Sequence, residues 1–166
     1  MPRWLFALTL LTALGAGVIG GVFYAFSTFV MRALRRRPAA EAVAAMQAIN
    51  VAVITPAFLG LFLGGAAASA AIVVRALLRW HTPGSAWLLA GGLLYFAGTF
   101  GVTMLFNVPL NNALENISPD APDAPEQWAR YAARWTLWNH VRTAAAIAAT
   151  AALMLALVTC ARPAGR

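Results

Sequence analysis

The sequence predicts an all-α integral membrane protein, an antiparallel four-helix bundle, and three observations carry that expectation. Hydrophobic residues are 61% of the 166 and charged residues 10%, with a mean hydropathy of +0.73, a balance outside the soluble globular range. Four apolar runs are each long enough to cross most of a ~30 Å hydrocarbon core at ~1.5 Å per residue. The basic residues are all arginine and lie in the connections or near the ends of those runs. Headgroup contact and orientation account for the net charge of +7, and no solvated basic face with base-reading groups points to nucleic acid.

The first run extends from Trp4 to Met31. Apolar character continues past Gly15 and Gly17 to Val30 with no polar mature sequence behind it, so a retained helix is expected rather than a signal peptide. Arg32, Arg35, Arg36 and Arg37 form the first connection, which leads into a helical approach from Ala39. The second span is expected from about Val51 to Val74, with Pro56 in its first turns as a kink. The third covers Ser85 to Phe106 after the turn at Pro83 and Gly84. A polar loop over 112–127 then leads through an amphipathic helix from Glu126 into the fourth span, Val141 to Thr159, all in one domain. Gly17 with Gly21, and Gly60 with Gly64, repeat a small residue after four positions and suggest close helix contacts. Cys160, the single cysteine, permits no intrachain disulfide and reads as a small apolar residue.

Arginines 32, 35, 36, 37, 130, 134 and 142 share one side, against 3, 75, 79, 162 and 166 on the side of both termini. The count leans towards cytoplasmic connections and external termini in a bacterial inner membrane, although all five acidic residues share the first side. Membrane lipid is the expected surrounding, and self-association is left open.

In an antiparallel bundle, one end collects nearly all the polar residues. Gly17, Gly20, Tyr24 and Ser27 share a face of the first span, and Gln47 and Asn50 stand at the entrance to the second. Tyr95, Thr99, Thr103 and Asn107 repeat at four-residue steps, with Asn111 just beyond Pro109, and Trp128, Tyr131, Trp135, Asn139 and Arg142 form a stripe. Buried amides cost several kcal/mol unpaired, so these must pair with one another or with a ligand. The structural alternative is that Gln47, Asn50, Asn107, Asn111 and Asn139 only join helices, that Arg142 snorkels to the headgroups, and that the tryptophans form an interfacial belt. Metal ligation is poorly supported: His140 turns about 100° from the Asn139 face, and no histidines or carboxylates have ligand spacing. Haem or a metal held through His140, with Met31 or Met46, remains as an alternative to a cofactor-free site. No serine, histidine and carboxylate assemble as a triad.

Four segments in series, Gly20-Gly21-Val22-Phe23-Tyr24-Ala25-Phe26-Ser27, Met46-Gln47-Ala48-Ile49-Asn50, Phe106-Asn107-Val108-Pro109-Leu110-Asn111 and Trp135-Thr136-Leu137-Trp138-Asn139-His140-Val141-Arg142-Thr143, resemble the anthrone oxygenase-like family of small four-span membrane proteins. The resemblance covers almost the whole chain. It implies oxidation of an anthrone methylene to an anthraquinone carbonyl by dioxygen, without metal or flavin, on a small hydrophobic aromatic ligand. Under that implication Arg142, Asn139, Asn107, Asn111, Asn50 and Gln47 hold phenolate and peroxide oxygens. Trp135, Tyr24 and Phe23 stack on the rings, with Ser27 nearby, and His140 has a suitable ordinary pKa for a base but sits on the wrong helical face. The competing class is a noncatalytic module binding a quinone or lipid, which a groove open to lipid or fully paired amides would favour. Transport is weaker, because no inverted repeat is visible.

Overall fold

The structure, a computed structural model, describes residues 1–161. Arg162 and Arg166, two of the arginines counted towards orientation, lie outside the described residues. The described chain is helical throughout, with no strand: α1 (Arg3–Leu34), α2 (Ala39–Ala52), α3 (Pro56–Leu78), α4 (Ser85–Glu115) and α5 (Ala124–Ala161). All but α2 are long and apolar enough to cross a membrane. Leu11, Leu14, Val18, Leu61, Val74, Leu93, Leu105, Ile147 and Val158 are exposed. An apolar exterior of that extent matches a lipid surround, not water.

The second apolar run is organised differently from the expectation. Pro56 does not kink a helix; it opens one. Thr55, the residue before the proline, is extended (φ −111°, ψ 152°), as the steric demand of a following proline requires, and its hydroxyl accepts from the Phe58 N–H at 3.2 Å. The helix containing Val51 therefore ends at Ala52, and α3 starts afresh four residues later. The third helix runs past Phe106 to Glu115, carrying Pro109 in the first turn after a change of winding, where its missing N–H is tolerated.

Two helices are partly wound with i→i+5 bonds: Phe26–Val30 in α1, and Leu94–Gly101 with Thr103–Asn107 in α4. Wider turns alternating with α-helical ones offset the drift of residues four apart. At ~100° per residue, three four-residue steps of an α-helix drift by roughly 120°. In α4, Tyr95, Thr99, Thr103 and Asn107 are nevertheless all buried.

Buried side chains gather the two ends of the molecule. Leu5 of α1, Ile72 and Ala76 of α3, Leu88 of α4 and Leu153 and Ala156 of α5 pack together at one end. Met31, Val43, Met46, Leu114, Trp128, Tyr131 and Trp135 pack at the other, where α2 is seated. Between α1 and α5 the register runs in opposite senses: Thr150 bonds the carbonyl of Ala13, Asn139 that of Phe23, and Arg35 that of Ala132.

The glycine pairs read from spacing are not the close contacts. Nothing lies within 4 Å of a Cβ placed at Gly21, Gly60 or Gly64. Close approach falls instead at Gly65, where a Cβ would stand 2.8 Å from the Tyr95 hydroxyl, at Gly91 (2.7 Å from Leu153 Cδ2), at Gly92 (2.6 Å from Val73 Cγ2) and at Gly98 (2.7 Å from Ala145 Cβ). Spacing cannot tell which side of a glycine faces a neighbour and which faces lipid. Gly92→Ala is expected to cost about 1–3 kcal/mol by overpacking, whereas Gly64→Ala leaves stability unchanged or slightly raised. Thermal unfolding of the two variants in one detergent compares them directly, and equal midpoints would contradict the assignment.

Candidate functional site

Arg142 on α5 is 6% exposed and has no carboxylate partner; the ion pairs among the described residues are Arg37 with Glu41 and Arg130 with Glu126, both on the surface. Its Nε donates to Asn139 Oδ1 at 2.9 Å and its Nη1 to Thr103 Oγ1 at 3.3 Å. The guanidinium carbon lies 3.8 Å from the centroid of the Phe23 ring and 5.0 Å from that of Trp135. Two aromatic faces and two neutral oxygens thus stand where a counter-ion would be expected, and aromatic quadrupoles attract a desolvated cation. The charge is held in place but not neutralised.

Asn139 does the holding. Completely buried, it donates through Nδ2 to the Phe23 carbonyl (2.8 Å) and to Ser27 Oγ (2.7 Å), while its Oδ1 receives Arg142. Ser27 in turn lies 3.2 Å from Thr143 Oγ1. This chain ties the widened turn of α1 to α5, one residue step from the cation. Asn111 holds the other flank: its Oδ1 accepts from Trp135 Nε1 at 2.7 Å and from the Tyr131 hydroxyl at 3.0 Å. Trp135 is thereby fixed as a wall, with Phe26 tilted against it at 5.6 Å.

These groups border a cavity of about 620 Å³, within the range of small-molecule sites. Most of its lining is apolar or aromatic, including Phe23, Phe26, Phe58, Phe62 and Trp135. The polar lining consists of Asn50, Thr103, Asn111, Asn112, Glu115 and Arg142. The Asn50 Nδ2 is buried without an acceptor, and behind the wall Asn107 donates to the Trp135 carbonyl (3.2 Å) while its Oδ1 stays unpartnered. Val51, Ile54, Leu63 and Met104 also line the cavity and are exposed, so its rim is apolar and lies beside the break between α2 and α3.

A model of the anthrone oxygenase family matches residues 57–152, more than half of the chain. The chain belongs to the anthrone oxygenase family. No curated protein and no solved structure matches it. The matched stretch spans α3, α4 and most of α5, and so contains Thr103, Asn107, Asn111, Trp135, Asn139 and Arg142. In this anthrone oxygenase family member, Phe23, Phe26 and Asn50 come from outside the matched stretch and complete the cavity.

Of the residues singled out from the sequence, Asn50, Asn111, Trp135 and Arg142 line the cavity, and Asn139 and Asn107 support it from behind. The others are placed elsewhere. Tyr24 is 56% exposed on the outer face, because the neighbouring Phe23 takes the inward position. Gln47 spends its amide nitrogen on the carbonyls of Leu114 and Ile117, both at 3.0 Å, clamping α2 to the end of α4. Ser27 acts on the cavity only through Asn139. His140 is exposed and lines a separate hollow with Met31 and three arginines, surroundings that repel a metal cation. Among the described residues, no three His, Cys, Asp or Glu side chains gather as a metal cluster.

Glu115 and Phe26 were not singled out as site residues from the sequence. Glu115 is the one carboxylate at the cavity among the described residues; the polar loop expected over 112–127 takes it in, whereas the helix of the third span extends to it. Asn139→Ala is expected to lower stability by about 1.5–3 kcal/mol, the worth of hydrogen bonds to a charged group. Thermal unfolding in detergent measures this, with Asn112→Ala, on the exposed side of α4, as a neutral comparison.

Proposed function

We propose that this protein is a membrane-embedded, cofactor-independent oxygenase of planar phenolic or polycyclic, anthrone-like substrates. It is built as an antiparallel four-helix bundle in a bacterial inner membrane. The observation that carries the reading is a guanidinium without a carboxylate, set between aromatic rings at the wall of an otherwise apolar cavity. Such a cation is an unspent electrostatic resource for an oxyanion that forms during reaction.

A diaryl methylene opposite a carbonyl is acidic, because its anion is an aromatic enolate. In the proposed sequence the methylene C–H proton goes to Glu115, whose exposed position lets it exchange with water, while Arg142 and Asn50 hold the enolate oxygen. The enolate gives one electron to dioxygen. The radical pair joins as a C–O bond, the proton returns to the distal oxygen to give the hydroperoxide, and removal of the remaining C–H proton forms the carbonyl as the O–O bond breaks, the expelled hydroxide and that proton leaving as water. The sum is CH₂ + O₂ → C=O + H₂O, with dioxygen as the oxidant and no external reductant. The protein's part is to orient the rings against Trp135 and Phe23, exclude water from most of the cavity and stabilise negative charge.

The apolar rim at Val51, Ile54 and Met104 supports a second reading, noncatalytic binding of a quinone or lipid amphiphile that enters from the bilayer. Oxygen uptake with an anthrone separates the two. Turnover is expected in the wild type, with Arg142→Ala reduced by about 10²–10³-fold, as for loss of an oxyanion-stabilising group, and Tyr24→Ala unchanged. Full turnover in a folded Arg142→Ala protein would rule out the proposed site; saturable binding without oxygen uptake would favour the amphiphile reading.

A further inference from the structure

A second hollow, about 320 Å³, lies between the end of α1 and the middle of α5, apart from the aromatic cavity. Arg32, Arg35 and Arg36 line it from α1, and Thr136 and His140 from α5. Positions 32, 35 and 36 are i, i+3 and i+4, with Thr28 one turn earlier, so all four share a helical face. Thr136 and His140 are likewise four apart. The guanidinium stripe of α1 therefore opposes Thr136 and His140 across the hollow, the Thr28 and Thr136 hydroxyls being spent on the Tyr24 and Ala132 carbonyls.

Among the described residues, no carboxylate neutralises them. The chain has five acidic residues: Glu41 bonds Arg37, Glu126 bonds Arg130, Asp123 bonds Gln127, Glu115 lines the aromatic cavity, and Asp120 lies in the loop. Arg37, the remaining arginine of the run, is the one that finds an acidic partner. Arg35 is anchored, its Nη2 donating to the Ala132 carbonyl at 2.7 Å and to Thr136 Oγ1 at 3.2 Å, which fixes one guanidinium against α5 while its other donors stay free.

Three permanent cations beside an imidazole, with no acidic side chain of their own, make a receptor for a group with several strongly accepting oxygens. We propose that this hollow binds a phosphate group, supplied by the headgroup of an anionic phospholipid. The position favours the lipid source. The hollow lies where the apolar length of α1 gives way to the arginine run, and the exposed side chains nearby, Phe29 on α1 and Leu137 and Val141 on α5, offer acyl chains an apolar flank. Basic pockets between helices at headgroup level recognise phosphate in this way. Ser27 lines this hollow too and receives Asn139 Nδ2, so the lipid seat and the Arg142 site share one wall.

Native mass spectrometry of the full-length, delipidated protein with phosphatidylglycerol or phosphatidylcholine of matched chains tests the proposal. The wild type is expected to retain phosphatidylglycerol with at least about a ten-fold preference. Arg32→Gln with Arg36→Gln should reduce that preference to within about two-fold, whereas Arg37→Gln with Arg130→Gln, which removes the same charge elsewhere, should keep it. Equal loss in both double variants, or no preference in the wild type, overturns the site. Should the seat variant not fold, Arg36→Gln alone is expected to show a partial loss that Arg37→Gln alone does not, and equal behaviour of those two singles also overturns it. Inorganic phosphate added at constant ionic strength distinguishes the sources. Displacement of phosphatidylglycerol assigns the seat to phosphate in general, and retention of the lipid assigns it to the headgroup with its acyl flank.

Discussion

A guanidinium buried among apolar helices has to be held by something, and here no carboxylate does it. Arg142 rests on the Oδ1 of Asn139, the hydroxyl of Thr103 and the faces of Phe23 and Trp135. Each support belongs to a different demand on the fold. Asn139 can turn its oxygen to the cation only because its nitrogen is bound by Phe23 and Ser27 of α1. Trp135 can present its face only because Asn111 fixes the indole N–H. A fully paired ion pair would be quieter electrostatically, and would also leave nothing for a ligand.

The rest of the architecture divides around that constraint. At the end away from Arg142, small residues bring helices together, with Gly91 against Leu153 and Gly92 against Val73 and the Ser69 carbonyl. At the Arg142 end the residues are large, and the aromatic groups that fill the space also leave a cavity. The changes of winding lie on the two helices that flank α5 there, within α1 at Phe26–Val30 and within α4 from Leu94 to Asn107. Widened turns recur at functional sites because they re-aim side chains without breaking the helix. In α4 they bring Thr103 towards the cation while keeping Asn107 against the backbone of Trp135. Trp135 and Arg142 border the aromatic cavity while Thr136 and His140 border the arginine-lined hollow, so one stretch of α5 faces two separate recesses.

Much of the candidate site was legible residue by residue. Asn50, Asn111, Trp135 and Arg142 stand at the cavity because helical periodicity and depth in the membrane are both readable from spacing. Tyr24 and Gln47 show where that reasoning ends. Tyr24 and Phe23 are neighbours, and Phe23 continues the buried stripe of Ala16, Ile19 and Gly20 while Tyr24 falls beside it on the outer face. Gln47 and Asn50 are three apart and chemically alike, yet Gln47 meets two free carbonyls at the end of α4 and Asn50 meets none. No local property of an amide tells which acceptors another helix will bring to it.

The four apolar runs, the polar end and the isolation of Arg142 from any acidic neighbour in the sequence follow from composition and spacing, since the cost of burying polar groups in lipid acts on each segment separately. Membership of the anthrone oxygenase family was legible in the same way, through motifs that stay local. Which glycines touch, where α2 ends and α3 begins in space, and which amides are spent on carbonyls depend on how helices are rotated and staggered against each other. Those are set by packing between segments far apart in the chain, where a turn of a few tens of degrees exchanges a buried side chain for an exposed one.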